Sequence, residues 1–506
     1  MALKPFVKRK VKWWEVGILF LILIISCLVR LPYVHEPFEC DQASYSYIAN
    51  HWGEGMTPYR YSWDSKPPLI FVAYRIISAF LGTTAEGIHL GFIFLAAISV
   101  ISIYALSRRL FNPGFALISA FLYGSFSGGA LISGTFAVPE NLLVILVIAG
   151  MYYFWDGWER QKNKYFFVSG AFLGLAMMTK QSAVWETAAL TLFLISGGLR
   201  STTFLLIGWR LVLFWLGVAV VIAIFVLLFS VLGALYEFFS SVFLYNLFFG
   251  RIVGIKQGLI NLGHALIWSP RENFLLWVFA VSGCILSLAK RERKSMFINL
   301  WFFATLLGLV SALNFYPHYF IQIIPVIVIL AVYFLQSVWE LPGLGRKVLS
   351  IIFVCGAAIS FGAVQWKWWF CSSVLDSLAS RRGELARPEL YRQAEEVGDF
   401  IRNHSVAEDV VQVWGMWPEV YYNSKRKSPS KYFYIASRNI MLGKFKEVVQ
   451  TQVYYDIIRN PPKFIIIDEY FADLISEPMQ RYINGGYALE RQGERYLILN
   501  RRDTVY

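Results

Sequence analysis

Residues 36–69 read E-P-F-E-C-D-Q-A-S-Y-S-Y-I-A-N-H-W-G-E-G-M-T-P-Y-R-Y-S-W-D-S-K-P-P-L. They follow the first long apolar run of the chain, residues 14–32, and they are crowded with chemistry. Glu39, Asp41, Glu54 and Asp64 supply carboxylates; Arg60 and Lys66 supply positive charge. Tyr45, Tyr47, Trp52, Tyr59, Tyr61 and Trp63 are amphipathic rings of the kind that settle at a membrane–water interface. A plain connector between two spans needs none of this, so the stretch reads as half of a reactive site on a membrane surface. The rest of the chain reads as its scaffold.

The composition supports a membrane setting. Of 506 residues, 57% are hydrophobic and only 16% charged, against about 25% charged in soluble domains. The mean hydropathy is +0.52. These values describe a polytopic α-helical membrane protein. The net charge of +13 sits largely in short clusters between apolar runs, which is the positive-inside pattern and not a nucleic-acid footprint. Cys27, Cys40, Cys284, Cys355 and Cys371 have no C-x-x-C spacing, so they imply neither a zinc site nor a disulfide framework. Cys40 and Cys371 both fall on the outer side, and a bridge between them is a weak candidate.

Counting spans by parity gives the topology. The basic leader (Lys4, Lys8, Arg9, Lys10, Lys12) holds the N-terminus in the cytoplasm, as an uncleaved first span. Pro67–Leu81 is apolar but shorter than the ~20 residues a straight span needs. If it crossed, Arg108-Arg109, Arg160/Lys162/Lys164 and Lys290–Lys294 would all face outward. Lying in the outer interface as a juxtamembrane helix, it leaves them inside. The remaining spans are expected at 87–107, 113–132, 140–157, 165–179, 183–198, 209–233, 272–289, 296–313, 317–338 and 347–366, about 11 in all. Residues 234–271 then form a long outer segment. The odd count places 370–506 outside as a soluble α/β domain, with strands at 410–414, 464–468 and 496–500 and helices near 388–402 and 438–459. The domains are thus 1–369, a membrane module with outer loops 33–86 and 234–271, and 370–506, extracytoplasmic.

This topology collects polar residues on one face: Asp41, Lys66, Glu140, Lys180, Arg251, His318 and Tyr319, with Glu39, Arg60 and Gln322 nearby. Ionisable groups at a membrane surface are functional candidates because desolvating them is costly. Each also has a plainer reading. Asp41 is equally well an N-cap for the helix that follows, and Tyr45, one turn on, interfacial packing. Lys66 and Lys180 fit snorkelling anchors, Glu140 a helix-start carboxylate after Pro139, and His318 an aromatic belt. No single residue is specific; the convergence carries the weight.

The combination E-C-D-Q-A-S-Y-S-Y-I-A, G-x-x-P-Y-R and K-P-P-L-I-F resembles the first outer loop of GT-C membrane glycosyltransferases. The branch is that of protein O-mannosyltransferases and lipid A aminoarabinose transferases. R-R-L-F-N-P-G-F-A-L-I-S-A (108–120), V-P-E-N (138–141), G-L-A-M-M-T-K-Q (174–181), F-Y-P-H-Y-F-I-Q-I-I-P (315–325) and N-P-P-K-F-I-I-I-D (460–468) extend the match in order. The resemblance implies a GT-C fold and transfer of a sugar from a polyprenyl-phosphate carrier on the outer side of the membrane. The acceptor would be a lipid, a glycan or a protein.

By the same resemblance, Asp41 is the general base, and Lys66, Lys180, Arg251 and His318 bind the donor phosphate. Glu39, Tyr45, Arg60, Glu140, Tyr319 and Gln322 line the substrate cavity. Two departures stand out. The family often has Asp-Glu where this chain has Asp41-Gln42, and an acidic residue where Ser65 precedes Lys66. No cofactor is required; a divalent metal is left open, with Asp41 and Glu140 as its oxygen ligands. The expected location is a bacterial plasma membrane, with membrane lipids as further partners. Two rival readings are a lipid-linked sugar transporter or flippase, which needs repeated halves and interrupted helices, and a non-catalytic assembly factor that binds lipid-linked sugars.

Overall fold

The computed structural model describes residues 10–198, 204–248, 253–271, 273–290, 292–311, 313–342, 347–348, 351–356, 359, 362, 387–435 and 445–502. In chain order the first helices are α1 (Trp13–Arg30), α2 (Cys40–Gly53), α3 (Leu69–Leu81), α4 (Ala85–Leu110), α5 (Pro113–Phe126), α6 (Pro139–Arg160), α7 (Lys164–Met177) and α8 (Val184–Gly198). Next come α9 (Phe204–Val231), the short α10 (Leu235–Phe239) and α11 (Tyr245–Phe248), then α12 (Ile255–Trp268), α13 (Phe274–Lys290), α14 (Arg293–Val310) and α15 (Ile324–Trp339). The C-terminal part holds α16 (Arg387–Asn403), β1 (Val411–Trp414), α17 (Glu419–Ser424), α18 (Phe445–Arg459), β2 (Phe464–Asp468), α19 (Glu469–Ala472), α20 (Glu477–Gly486), β3 (Tyr487–Gln492) and β4 (Tyr496–Arg501).

Among the described residues, five helices are long and apolar enough to cross a membrane: Trp13–Tyr33, Ala85–Leu110, Pro139–Arg160, Phe204–Val231 and Pro317–Trp339. Four more apolar helices, Leu69–Leu81, Pro113–Phe126, Lys164–Met177 and Phe274–Lys290, are shorter. A 14-residue helix such as α5 rises only ~21 Å at ~1.5 Å per residue, less than the hydrocarbon core. Half of the expected span at 347–366 lies outside the described residues, and Arg251 and Cys371 lie outside them altogether.

The chain folds into two compact units that do not follow its linear order. The first comprises Met1–His35, Glu86–Val226 and Ile255–Val374; the second comprises Glu36–Ala85, Leu227–Gly254 and Leu375–Tyr506.

In the first unit, small residues let helices touch backbone to backbone. Gly170 and Gly174, four apart on α7, face α9, and a Cβ on Gly170 would collide with the carbonyl of Phe214. Gly217 on α9 faces the Phe167 carbonyl in the same way. Such close approach is how helices associate where lipid removes the hydrophobic drive. Charges at helix ends are paired. Glu15 of α1, 1% exposed, meets Arg108 at 2.7 Å and accepts from the Tyr104 hydroxyl at 2.6 Å. Asp156 pairs with Arg109, and with Arg160 at 2.9 Å. Much of the Arg108-Arg109 and Arg160 charge is therefore matched locally.

In the second unit, a four-stranded sheet of order β1-β2-β4-β3 forms the centre. β1 and β2 run parallel, with Val411 opposite Phe464, while β4 is antiparallel to both β2 and β3. The β2 run F-I-I-I-D is buried along its whole length, as a strand covered on both faces should be. Trp63 from the 36–85 segment and Tyr245 from α11 join Trp414, Ile465 and Ile467 in one apolar core. Their rings meet at 5.0 Å, and the Trp63 N–H donates to the Lys431 carbonyl at 2.8 Å. The polar first loop is thereby built into the C-terminal sheet's own core.

Candidate active site

The start of α2 is fixed by Glu39. Its backbone is extended and its carboxylate accepts from the Asp41 N–H at 3.3 Å. Gln42 reaches back to the Glu39 N–H at 3.0 Å, completing a reciprocal capping box. The cap is therefore Glu39, and Asp41 sits one residue inside the first turn. Its carboxylate is near the positive end of the helix dipole without being used up as a cap. The departure at Gln42 has a structural role here, since that side chain is 1% exposed and belongs to the cap.

Lys66 is held by its backbone. Its N–H donates to Asp64 Oδ1 at 2.9 Å, and its carbonyl accepts from the Tyr59 hydroxyl at 2.8 Å. Tyr59 is fully buried with φ at +68°, an unfavourable value for an aromatic residue that the surrounding loop enforces. Asn246 donates to the Ser65 carbonyl at 3.0 Å. Pro67 and Pro68 then stiffen the entry to α3. A lysine on such a loop presents its ammonium with little backbone freedom left to lose.

Asp64 lies between these two residues electrostatically. Burial pushes its carboxyl up to about 6; Lys66 pulls it back down and the Asp41 charge adds to the rise. Two further groups feel Asp41, and the sequence reading did not include them. Glu419 at the start of α17 is 7% exposed. Burial, with the fields of Glu39 and Asp41, holds its carboxyl well above the usual range, and its Oε2 has no hydrogen-bond partner among the described residues. Tyr434 is buried, and its phenol is raised by burial and by Asp64, Cys40 and Asp41. The signal for Glu419 is W-P-E (417–419), a proline-led helix start like P-E at 139–140. For Tyr434 the sequence offers no signal.

Two of the expected residues make contacts within the second unit. Tyr45 is buried against the rings of Phe71 and Tyr74, at 6.0 and 5.8 Å. Arg60 is exposed and donates to the Gly233 carbonyl at 3.1 Å, joining the first loop to the end of α9.

The first unit holds a polar centre of its own. Glu140, 1% exposed at the start of α6, has Lys180 Nζ at 2.6 Å and His318 Nε2 at 3.9 Å. The Lys180 ammonium lies 3.7 Å from the centre of the Tyr319 ring, which stands edge-on to His318 at 4.9 Å. Gln322 is buried and accepts from the Ser182 hydroxyl at 3.2 Å. Glu140, Lys180, His318 and Tyr319, read from three distant motifs, thus form one cluster. Among the described residues no group of three His, Cys, Asp or Glu is spaced to hold a metal ion.

Residues 65–230, about a third of the chain, match the family model for dolichyl-phosphate-mannose-protein mannosyltransferase. The chain is similar in structure to ArnT from Cupriavidus metallidurans bound to undecaprenyl phosphate, with a TM-score of 0.62 at 14% identity, over 97% of this chain and 98% of that one. The chain has the GT-C glycosyltransferase fold. The archaeal oligosaccharyltransferase AglB from Archaeoglobus fulgidus, in complex with an inhibitory peptide and a dolichol-phosphate, is also similar. Its TM-score is 0.57 at 13% identity, over 98% of this chain and 75% of that one. No curated protein sequence matches the chain. At these identities the GT-C likeness speaks for the fold of an integral membrane protein, while the chemistry must be argued from the chain's own residues.

Proposed function

We propose that the protein is an integral-membrane glycosyltransferase that moves a sugar from a polyprenyl-phosphate carrier to an acceptor on the extracytoplasmic side. The observation that carries this reading is that Asp41, in the first turn of α2, and Lys66, on the loop that enters α3, both act on the buried Asp64 carboxyl, which the Lys66 N–H also bonds. A base and a fixed cation are the two groups that a displacement from a sugar phosphate needs. The lipid-phosphate ligands named for the ArnT and AglB structures and the mannosyltransferase family match support it.

In the proposed reaction the acceptor hydroxyl attacks the anomeric carbon from the face opposite the phosphate, inverting it in a single displacement. Asp41 takes the hydroxyl proton as the new C–O bond forms. The bond to the carrier oxygen breaks, and the carrier phosphate leaves with both bonding electrons, its growing charge stabilised by Lys66. Burial favours the neutral form of Glu419, whose O–H is the group it would offer to an acceptor oxygen. In this reading 370–506 is extracytoplasmic and the N-terminus cytoplasmic.

The test is a transfer assay in nanodiscs with a panel of polyprenyl-phosphate sugars, following release of free polyprenyl phosphate. One donor should turn over, and Asp41→Asn should lower the rate ~10²–10⁴-fold while that donor still binds. Full activity in Asp41→Asn would remove the base assignment. Binding without turnover in the wild type, with acceptors supplied, would replace the enzyme by a lipid-linked-sugar binding factor.

A further inference from the structure

Away from Asp41, the second unit contains a cavity of about 1050 Å³ bounded by the C-terminal half of α2, one face of α3, and residues 421–427. Its volume is at the top of the ~300–1,000 Å³ range of small-molecule sites. Asp41, Asp64 and Lys66 do not line it. Its α2 wall begins at Ser46, five positions beyond Asp41, which is ~7.5 Å along the helix at ~1.5 Å per residue, and continues to the helix end at Gly53.

Two kinds of surface meet there. Val72, Ile76 and Phe80 on α3 form an apolar wall, with Ile76 54% and Phe80 84% exposed. Among them stands Arg75, also exposed. No hydrogen bond or ion pair to another described residue engages its guanidinium. It lies against Gly53 of α2, where any Cβ would collide with Nη1, so the missing side chain is what seats it. Lys425 also lines the cavity, its ammonium 4.0 Å from the Tyr422 ring centre. The other lining cation near the α2 end, Lys427, is matched by Glu54 at 2.6 Å. Arg426 also lines the cavity, with its guanidinium bonded to the Ser405 hydroxyl and the Ser424, Arg402 and Ser405 carbonyls. Arg75 and Lys425 are the lining cations with no hydrogen bond or ion pair to a described residue, beside an exposed apolar helix face.

Arg75 stands in the middle of the apolar helix L-I-F-V-A-Y-R-I-I-S-A-F-L, and Glu54, the acidic residue in the lining, is engaged by Lys427. Guanidinium presents a planar fork of donors suited to phosphate oxygens. The adjoining apolar wall suits a hydrocarbon chain. We infer that this cavity is a second lipid site, separate from the Asp41–Lys66 loop, which holds an anionic phospholipid with its phosphate on Arg75 and Lys425 and an acyl chain along Ile76 and Phe80. The inference does not rest on glycosyl transfer and holds or fails independently of it.

The experiment uses the full chain in phosphatidylcholine nanodiscs, titrated with dioleoylphosphatidylglycerol and read by native mass spectrometry after gentle release. Wild type should retain phosphatidylglycerol in preference to phosphatidylcholine. The Arg75→Gln/Lys425→Gln double variant should lose that preference by about tenfold or more, as expected for one to two charge-assisted contacts. Asp41→Asn should bind phosphatidylglycerol as wild type does. Phe80→Ser should weaken phosphatidylglycerol while leaving inorganic phosphate competition unchanged, a readout that stands if the double variant misfolds. Undiminished phosphatidylglycerol retention in a folded double variant would overturn the proposal. So would displacement of the lipid by an equal concentration of inorganic phosphate, which would make this a site for a free anion.

Discussion

The Lys180 ammonium and the Glu140 carboxylate meet at 2.6 Å, with both side chains largely withdrawn from solvent. The pair joins the end of α7 to the start of α6 across 40 residues of sequence. Removing Lys180 takes away the nearest cation of the buried Glu140 carboxylate, whose His318 neighbour stands farther off at 3.9 Å. Lys180→Met is therefore expected to destabilise the fold by ~3–5 kcal/mol, and Glu140→Gln/Lys180→Met together should recover much of that loss. Thermal unfolding of the two variants in detergent checks it; additive losses would mean the pair contributes no coupling.

Lys66 should matter to the reaction more than to the fold. Its backbone, not its ammonium, makes the bonds to Asp64 and Tyr59. Lys66→Ala keeps those bonds and removes the charge. The expected result is a loss of ~10²–10³-fold in turnover with an unchanged melting temperature. A large drop in melting temperature would instead make the ammonium structural.

Asp64 predicts a pH dependence of defined sign. Its carboxyl holds its proton up to about pH 6 when folded, against 3.8 ordinarily. Between those values folding takes up a proton, so the stabilisation present below the lower one is lost as pH rises through the upper one. Asp64→Asn keeps the Oδ1 acceptor for the Lys66 N–H and cannot ionise. Its stability relative to wild type should therefore rise from pH 4 to pH 7. Parallel profiles for the two proteins would show that Asp64 ionises freely in the fold.

Glu419 should behave alike. Its carboxyl is raised by burial and by Glu39 and Asp41, so its neutral form belongs to the fold and the contribution disappears as pH climbs through the raised value. Glu419→Gln resembles the protonated side chain, so its stability relative to wild type should rise as pH rises. Parallel stability profiles against pH would contradict this.

Gly170 provides a packing test. A methyl group there meets the Phe214 carbonyl, which belongs to a helix backbone and cannot swing aside. Gly170→Ala should force α7 and α9 apart and cost ~1–3 kcal/mol, as overpacking typically does. Gly208→Ala on α9, where nothing lies within 4 Å of the new atom, is the control and should leave the unfolding midpoint unchanged.

Hydrophobic runs, the K-P-P and P-E helix starts and the polar crowding of residues 36–69 were legible because they are local. Helix positions follow from apolar length, and capping and proline residues mark where helices begin. The same locality explains the ambiguity at Asp41, since a cap and a reactive carboxylate share residue type and position until Glu39 is seen to fill the cap. For Arg60 and Tyr45, charge and aromaticity are visible in the sequence. Their actual neighbours, the Gly233 carbonyl and the rings of α3, are not.

The sequence by itself determined the membrane character, the helix-forming segments and the residues able to do acid–base and phosphate chemistry, because these depend on composition and short-range spacing. Only the tertiary structure decided that residues 36–85, 227–254 and 375–506 share one compact unit. It alone brought Glu419 and Tyr434 into the field of Asp41, and Arg75 over Gly53. Those relationships depend on contacts between segments hundreds of residues apart, or on a side chain's fit into the space another residue leaves, and neither has a signature along the chain.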